Sequence, residues 1–280
     1  MKKNITAQRF GEERALYAIS DTEIFGCAFE GDDDGESALK ECSSIKAHNC
    51  KFALRYPLWH CKDFAISDCS LTEGCRAPMW YGELGTVRHC RIDGIKALRE
   101  CTDTLIEGSV INSNEFGWKC KKVNMRKTHV TSEYLFLGSS DLELSNITMS
   151  GKYSFQYVQN AVINDSVLNT KDAFWHAKNV TAINCEINGE YLGWYSENLT
   201  LIDCKISGTQ PLCYCKGLKL VNCTMNGCDL SFEYSDVEAD ISGNIDSVKN
   251  PRSGYIKADT IGEIINDGSV MDTNCKIELR

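Results

Sequence analysis

All five tryptophans of this chain lie on one ruler: Trp59, Trp80, Trp118, Trp175 and Trp194 are separated by 21, 38, 57 and 19 residues. Every gap but the first is a multiple of 19. A fixed period of this kind decides architecture before local propensity is consulted, because each repeat is one structural unit stacked on the last. The same period sets Cys50, Cys69, Cys90, Ser109, Thr128, Ile147, Ser166, Cys185, Cys204 and Cys223 in one column of mostly small residues. Two residues on runs an apolar column (Phe52, Leu71, Ile92, Ile111, Val130, Met149), and three residues back another (Ala47, Ile66, Val87, Ile106, Met125, Leu144).

Alternation inside each repeat has period two, and nineteen residues leave little room for a helix, so the repeat reads as a coil of short strands. Leucine-rich repeats overlap this length, but their leucine-dense consensus is absent. The position before the small column holds Asn49, Asp68, Asn146, Asp165, Asn184, Asp203 and Asn222. These side chains tolerate left-handed backbone and hydrogen-bond locally in turns. The pattern predicts an all-β fold, a single-stranded parallel β-helix (solenoid) of about twelve coils. One domain is expected over 1–280, with an N-terminal cap at 1–14, coils over 15–245 and a C-terminal cap at 246–280.

A net charge of −9 disfavours a polyanion partner, so no nucleic acid is expected. No apolar stretch approaches membrane-spanning length, and Met1-Lys2-Lys3-Asn4 leads into no hydrophobic signal region, which predicts a cytoplasmic chain without a membrane partner. Sixteen cysteines suggest disulfides or metal sites. The ruler argues otherwise: two columns hold most of them, and Ser, Ala, Val and Gly take their place in other coils, so the position wants a small buried side chain. Free inward thiols are expected, with no metal and no cofactor. Cys213-Tyr214-Cys215 reads as one thiol in and one out, and the acidic run Asp32-Asp33-Asp34-Gly35-Glu36 as a solvated loop rather than a Ca²⁺ site.

The column before the tryptophan column is apolar or glycine (Leu58, Met79, Leu98, Gly117, Phe174, Gly193), whereas the tryptophan column also admits Lys40, Arg99 and Gln156. Alternation therefore sends the first inward and the tryptophans outward. An outward stripe with polar company suits an extended oligosaccharide or polysaccharide, because flat rings stack on sugar faces, and it also suits a second copy of the chain. The candidate ligand-binding residues are Tyr56, Trp59, His60, Trp80, Tyr81, Trp118, Trp175, His176, Trp194 and Tyr195. A non-catalytic carbohydrate-binding or self-assembling module is the first reading. The alternative is a carbohydrate-active enzyme in the same groove. Glycoside hydrolysis needs two carboxyls, which Glu100 and Glu115 would supply, and polyuronate elimination needs cationic groups such as Arg99 and Lys119.

The ladder with its Asn/Asp-Cys turns, the opening Gln8-Arg9-Phe10-Gly11-Glu12-Glu13-Arg14-Ala15-Leu16-Tyr17 and the stretch Arg55-Tyr56-Pro57-Leu58-Trp59-His60 resemble an uncharacterised bacterial family, domain-of-unknown-function family 3737. The resemblance spans the whole chain and implies a right-handed parallel β-helix of the pectate-lyase-like superfamily. It implies no activity, substrate or catalytic residue, since this fold carries many functions.

Overall fold

A computed structural model describes residues 3–31 and 35–280; the three aspartates of the acidic run lie outside the described residues. The chain is an all-β, right-handed parallel β-helix of about fourteen coils. Its repeat runs through two compact units, Met1–Glu143 and Leu144–Arg280. Among the described residues no helix is long and apolar enough to cross a membrane.

In the first unit, six-residue strands such as Ser43–His48, Lys62–Ser67, Glu83–Arg88 and Thr102–Glu107 pair in parallel, each with its counterpart one coil away. The registers Ile45↔Phe64, Phe64↔Gly85 and Gly85↔Thr104 show where the one 21-residue coil is absorbed without a slip. Gly85 is there for space, because a Cβ at that position would meet the Phe64 ring at 2.6 Å. A second sheet follows the small column with two- and three-residue strands such as Ser70–Leu71, Arg91–Ile92 and Val110–Asn112. Inside, Phe10, Phe29 and Phe52 stack with centroids 5.2 and 4.8 Å apart. In the second unit, Gln159–Asn164, Lys178–Ile183 and Glu197–Ile202 repeat the long strand, and Val167–Lys171, Glu186–Asn188 and Lys205–Ser207 the short one.

More coils are present than the expected twelve because the end segments also carry strands. Lys3–Thr6 pairs with Ser20–Phe25 through Ile5↔Ile24, and Arg9–Phe10 with Ala28–Phe29, so the segment 1–14 carries coil strands on the nineteen-residue ruler. Beyond residue 245, Ser253–Ala258 pairs with Asp236–Ile241, and Thr260–Ile265 with Asn244–Lys249, at shorter offsets that the ruler alone did not reveal.

Left-handed backbone marks the corners. The Asn/Asp column adopts it as the residue types imply, with φ of 51° at Asn49, 54° at Asp68, 52° at Asn184 and 51° at Asn222. Amide-to-carboxylate bonds such as Asn184 Nδ2 to Asp165 Oδ1, 2.6 Å, join these side chains from coil to coil. Further left-handed columns carry residues with no such preference, among them Tyr81 (55°), Tyr157 (58°) and Phe174 (60°). Each costs on the order of 1–2 kcal/mol, and the stacking of like side chains at every coil offsets that strain.

All sixteen cysteines are free thiols, and all but Cys275 are buried. Cys213-Tyr214-Cys215 corrects the expected alternation: both thiols point inward. Residues i and i+2 share a face in extended chain, and left-handed Leu212 (62°) and Tyr214 (61°) hold the corner so that only the tyrosine faces out.

Candidate functional site

In unit Met1–Glu143 a short sheet aligns Trp59 with Trp80 and Trp80 with Arg99, and an isolated bridge continues to Trp118. Leu58, Met79 and Leu98 are fully buried, while Trp59, Trp80 and Trp118 are half-buried, so the tryptophans lie on the outer side as the alternation implies. Parallel in-register strands repeat at about 4.8 Å, close to the thickness of a stacked ring, so residues of one column must stack. The Trp59 and Trp80 rings lie 5.6 Å apart and 13° from parallel. Lys40 Nζ sits 3.9 Å from the Trp59 centroid, and the Arg99 guanidinium lies 5.6 Å from Trp80 and 5.2 Å from Trp118. Cations and rings therefore fill one another's faces along this column.

The residues expected to carry catalysis gather around that guanidinium. Arg99 Nε is 3.5 Å from Glu100 Oε1, and Arg99 Nη1 is 3.9 Å from Glu115 Oε2. Lys96, which the sequence reading passed over, places its Nζ 3.1 Å from the same Glu115 oxygen and 6.0 Å from the Trp118 ring. The signal was available, since Lys96 shares the column of Tyr56 and Glu115. Both carboxylates thus lie within ion-pair distance of cations, although Arg99 Nε and Glu115 Oε2 are buried without a hydrogen-bond partner. Lys119 is exposed one coil on in the column of Glu100. Tyr56 packs on Trp59 and Trp80 at 5.8 and 6.0 Å, and His60 joins Tyr81 edge-on at 5.0 Å with its Nδ1 3.0 Å from Glu41 Oε1.

In unit Leu144–Arg280, Trp175 and Trp194 stack at 5.4 Å and 5°. Each indole N–H donates at 2.7 Å to a backbone carbonyl of the next coil, of Tyr191 and Gln210 respectively. Beside them the exposed column forms an unbroken ladder. Tyr157 and His176 stack at 5.0 Å, His176 and Tyr195 at 5.1 Å, and Tyr195 and Tyr214 at 4.8 Å, all within 10° of parallel. Tyr234 continues it at 5.9 Å and 43°. Tyr157 is 54% and Tyr195 45% exposed, so the open surface is this ladder rather than the indoles. Burial pushes the Tyr214 phenol up to about 12, which keeps its hydroxyl a donor. Tyr234 was not singled out from the sequence, whereas Tyr214 is reached as the last member of the His176 column.

This geometry corrects one expectation of both stripes. The rings were expected to offer flat faces to a sugar, but stacking at the strand repeat covers the faces and turns the edges outward. What remains accessible is a row of ring edges carrying hydroxyl and imidazole groups.

Asp172 is a buried acid in the tyrosine column, between Tyr153 and Tyr191, and only 5% exposed. Burial raises its pKa; Lys171 opposes that shift and Glu190 adds to it.

No curated protein matches the chain. Among solved structures, the A-module of the Azotobacter vinelandii mannuronan C-5 epimerase AlgE6 aligns at 11% identity and a TM-score of 0.35, over 98% of this chain and 87% of that one. PfbA, a surface adhesin of Streptococcus pneumoniae, aligns at 8% identity and 0.30, over 99% and 84%. HetL, a pentapeptide repeat protein from Nostoc sp. strain PCC 7120, aligns at 11% identity and 0.24, over 79% and 92%. Likenesses this distant carry no argument about activity. The family model described as Protein of unknown function (DUF3737) matches residues 3–278, and the chain belongs to that family.

Proposed function

We propose that this protein is a non-catalytic binding module that holds an extended carbohydrate along the ladder Tyr157, His176, Tyr195 and Tyr214. The observation that carries this reading is the ladder itself: near-parallel rings at one-coil spacing, with polar edges in solvent. Stacking and left-handed corners fix every ring before a ligand arrives, so little ordering cost remains for binding. A polymer that repeats its hydroxyls along its length is the ligand best matched to a row of donors and acceptors that repeats along a solenoid.

Catalysis has less support. Glu100 and Glu115 both lie within ion-pair distance of the Arg99 guanidinium, so the two carboxyls are engaged with one cation rather than set on either side of a bond to be cleaved. A cytoplasmic location belongs to the same proposal, supported by sixteen thiols that remain free.

Affinity electrophoresis of the protein in gels containing neutral and acidic soluble polysaccharides tests the reading. Retardation by at least one polysaccharide is expected, weakened about tenfold by Tyr195→Ala. Sedimentation velocity separates the outcomes: a concentration-dependent dimer abolished by Tyr195→Ala, with no retardation, would replace carbohydrate binding by self-association. Release of reducing ends or unsaturated products would replace it by the lyase or hydrolase alternative.

A further inference from the structure

In unit Leu144–Arg280 the outermost coil leaves its core columns uncovered. Lys276–Leu279 is the edge strand of the 15-stranded sheet, and Thr260–Ile265 the edge strand of its two-stranded neighbour. Register sets Ile277 and Leu279 over Ile256 and Ala258, and Ile261 and Ile264 over Ile245 and Val248. The four residues beneath are fully buried, whereas Leu279 is 60% and Ile264 43% exposed. Val270 and Met271, on the loop between the two edge strands, are exposed as well. An open edge is a template for another strand, and an apolar patch around it marks a surface for association.

The edge strand of unit Met1–Glu143 is protected instead. Lys3 of Lys3–Thr6 registers with Thr22, a buried inward residue. A strand laid over this edge would bury the Lys3 ammonium in that column, and an inward charge is one way in which sheet edges are blunted. Lys276–Leu279 carries its charges on the other face, where Lys276 and Glu278 are exposed and alternate with Ile277 and Leu279. Among the described residues neither charge has an ion-pair partner.

We infer that this coil docks on the same coil of a second copy, with Lys276–Leu279 of the two copies pairing antiparallel about a two-fold axis. The contact is self-complementary, as such an axis requires. Residues directly opposite in an antiparallel pair share a face, so inward side chains must meet inward ones. Centring the pair on Ile277 sets Ile277 against itself and Leu279 against Cys275 on the inner side. On the outer side it sets Lys276 of each copy against Glu278 of the other. Centring on Lys276 or on Glu278 would set that charge against itself. Charge complementarity therefore selects both the partner and the register, and the added strand covers apolar residues that a polar ligand would leave in water.

Sedimentation velocity of the full chain over a range of concentrations tests the inference. A dimer with no larger species is expected. Glu278→Lys and Lys276→Glu should each weaken it about tenfold, and the double variant Lys276→Glu/Glu278→Lys should restore it, because only the two-fold register exchanges these charges. Both side chains are exposed, so the variants are expected to keep the native circular dichroism and unfolding midpoint. Tyr195→Ala should leave the dimer intact, which separates this contact from association along the aromatic ladder. A monomer at every concentration overturns the inference, and so does a double variant that fails to recover the dimer. Loss of the dimer in Tyr195→Ala overturns it in favour of the ladder, and oligomers that keep growing with concentration overturn it in favour of head-to-tail stacking.

Discussion

The tryptophan column of unit Met1–Glu143 holds Lys40 and Arg99 against Trp59, Trp80 and Trp118, whereas that of unit Leu144–Arg280 holds Trp175 against Trp194 beside an uninterrupted ladder of Tyr and His rings. Both solve one problem: side chains of a column must stack at the strand repeat. The cationic solution brings Glu100, Glu115 and Lys96 with it to balance charge, at ion-pair distances of 3.1–3.9 Å that leave Arg99 Nε and Glu115 Oε2 buried without a hydrogen bond. The neutral solution needs no counter-charge, and its polar edges stay open. A row rich in charged groups therefore turns them on its own rings and carboxylates, whereas the uncharged row leaves Tyr157, His176 and Tyr195 exposed.

The largest expected effect falls on the neutral side. Trp194→Ala removes the stack on Trp175, the edge contacts with Tyr191 and Tyr214, and the N–H bond to the Gln210 carbonyl. The half-buried site places the loss near the low end for Trp→Ala, about 3 kcal/mol by denaturant unfolding. Added salt is expected to leave that loss unchanged. Arg99→Ala comes next, with about 2 kcal/mol lost as two cation–π contacts go and two carboxylates lose their shared cation. Here the loss should shrink in salt, and Glu115→Gln should partly rescue it. Equal salt response in both variants would erase the distinction between the two columns.

The coil itself was legible. Nineteen-residue columns of Cys185, Cys204 and Cys223 or of Leu168, Ile187 and Ile206 report burial directly, and Asn49 or Asp68 announces its corner because those residue types favour left-handed backbone. Corners built on Tyr81, Tyr157 or Phe174 announce nothing, since their residue types carry no such preference and the neighbouring coil supplies the compensation. The outward direction of the tryptophans followed from alternation. That their faces would be covered did not, because coverage depends on strand spacing rather than on residue identity. Lys96 lay on the ruler and needed only the column to be followed through its irregular members.

The smallest expected effect concerns the one acid in the tyrosine column of the second unit. Asp172 stands where Tyr153 and Tyr191 stand in adjacent coils, and burial raises its pKa in the folded chain. In the unfolded chain an aspartate ionises near its ordinary value of about 3.9. As pH rises through that value the unfolded chain releases its proton first, so the folded chain binds more protons and loses relative stability until its own Asp172 ionises. The contribution is thus complete below about pH 4 and disappears as pH climbs through the raised folded value. Asp172→Asn keeps a neutral side chain of the same shape at every pH. Unfolding midpoints measured from about pH 3 to 7 should show the native chain falling more steeply than the variant above about pH 4, with the two close together below it. Parallel profiles would mean that the carboxyl finds its charge compensated in the fold.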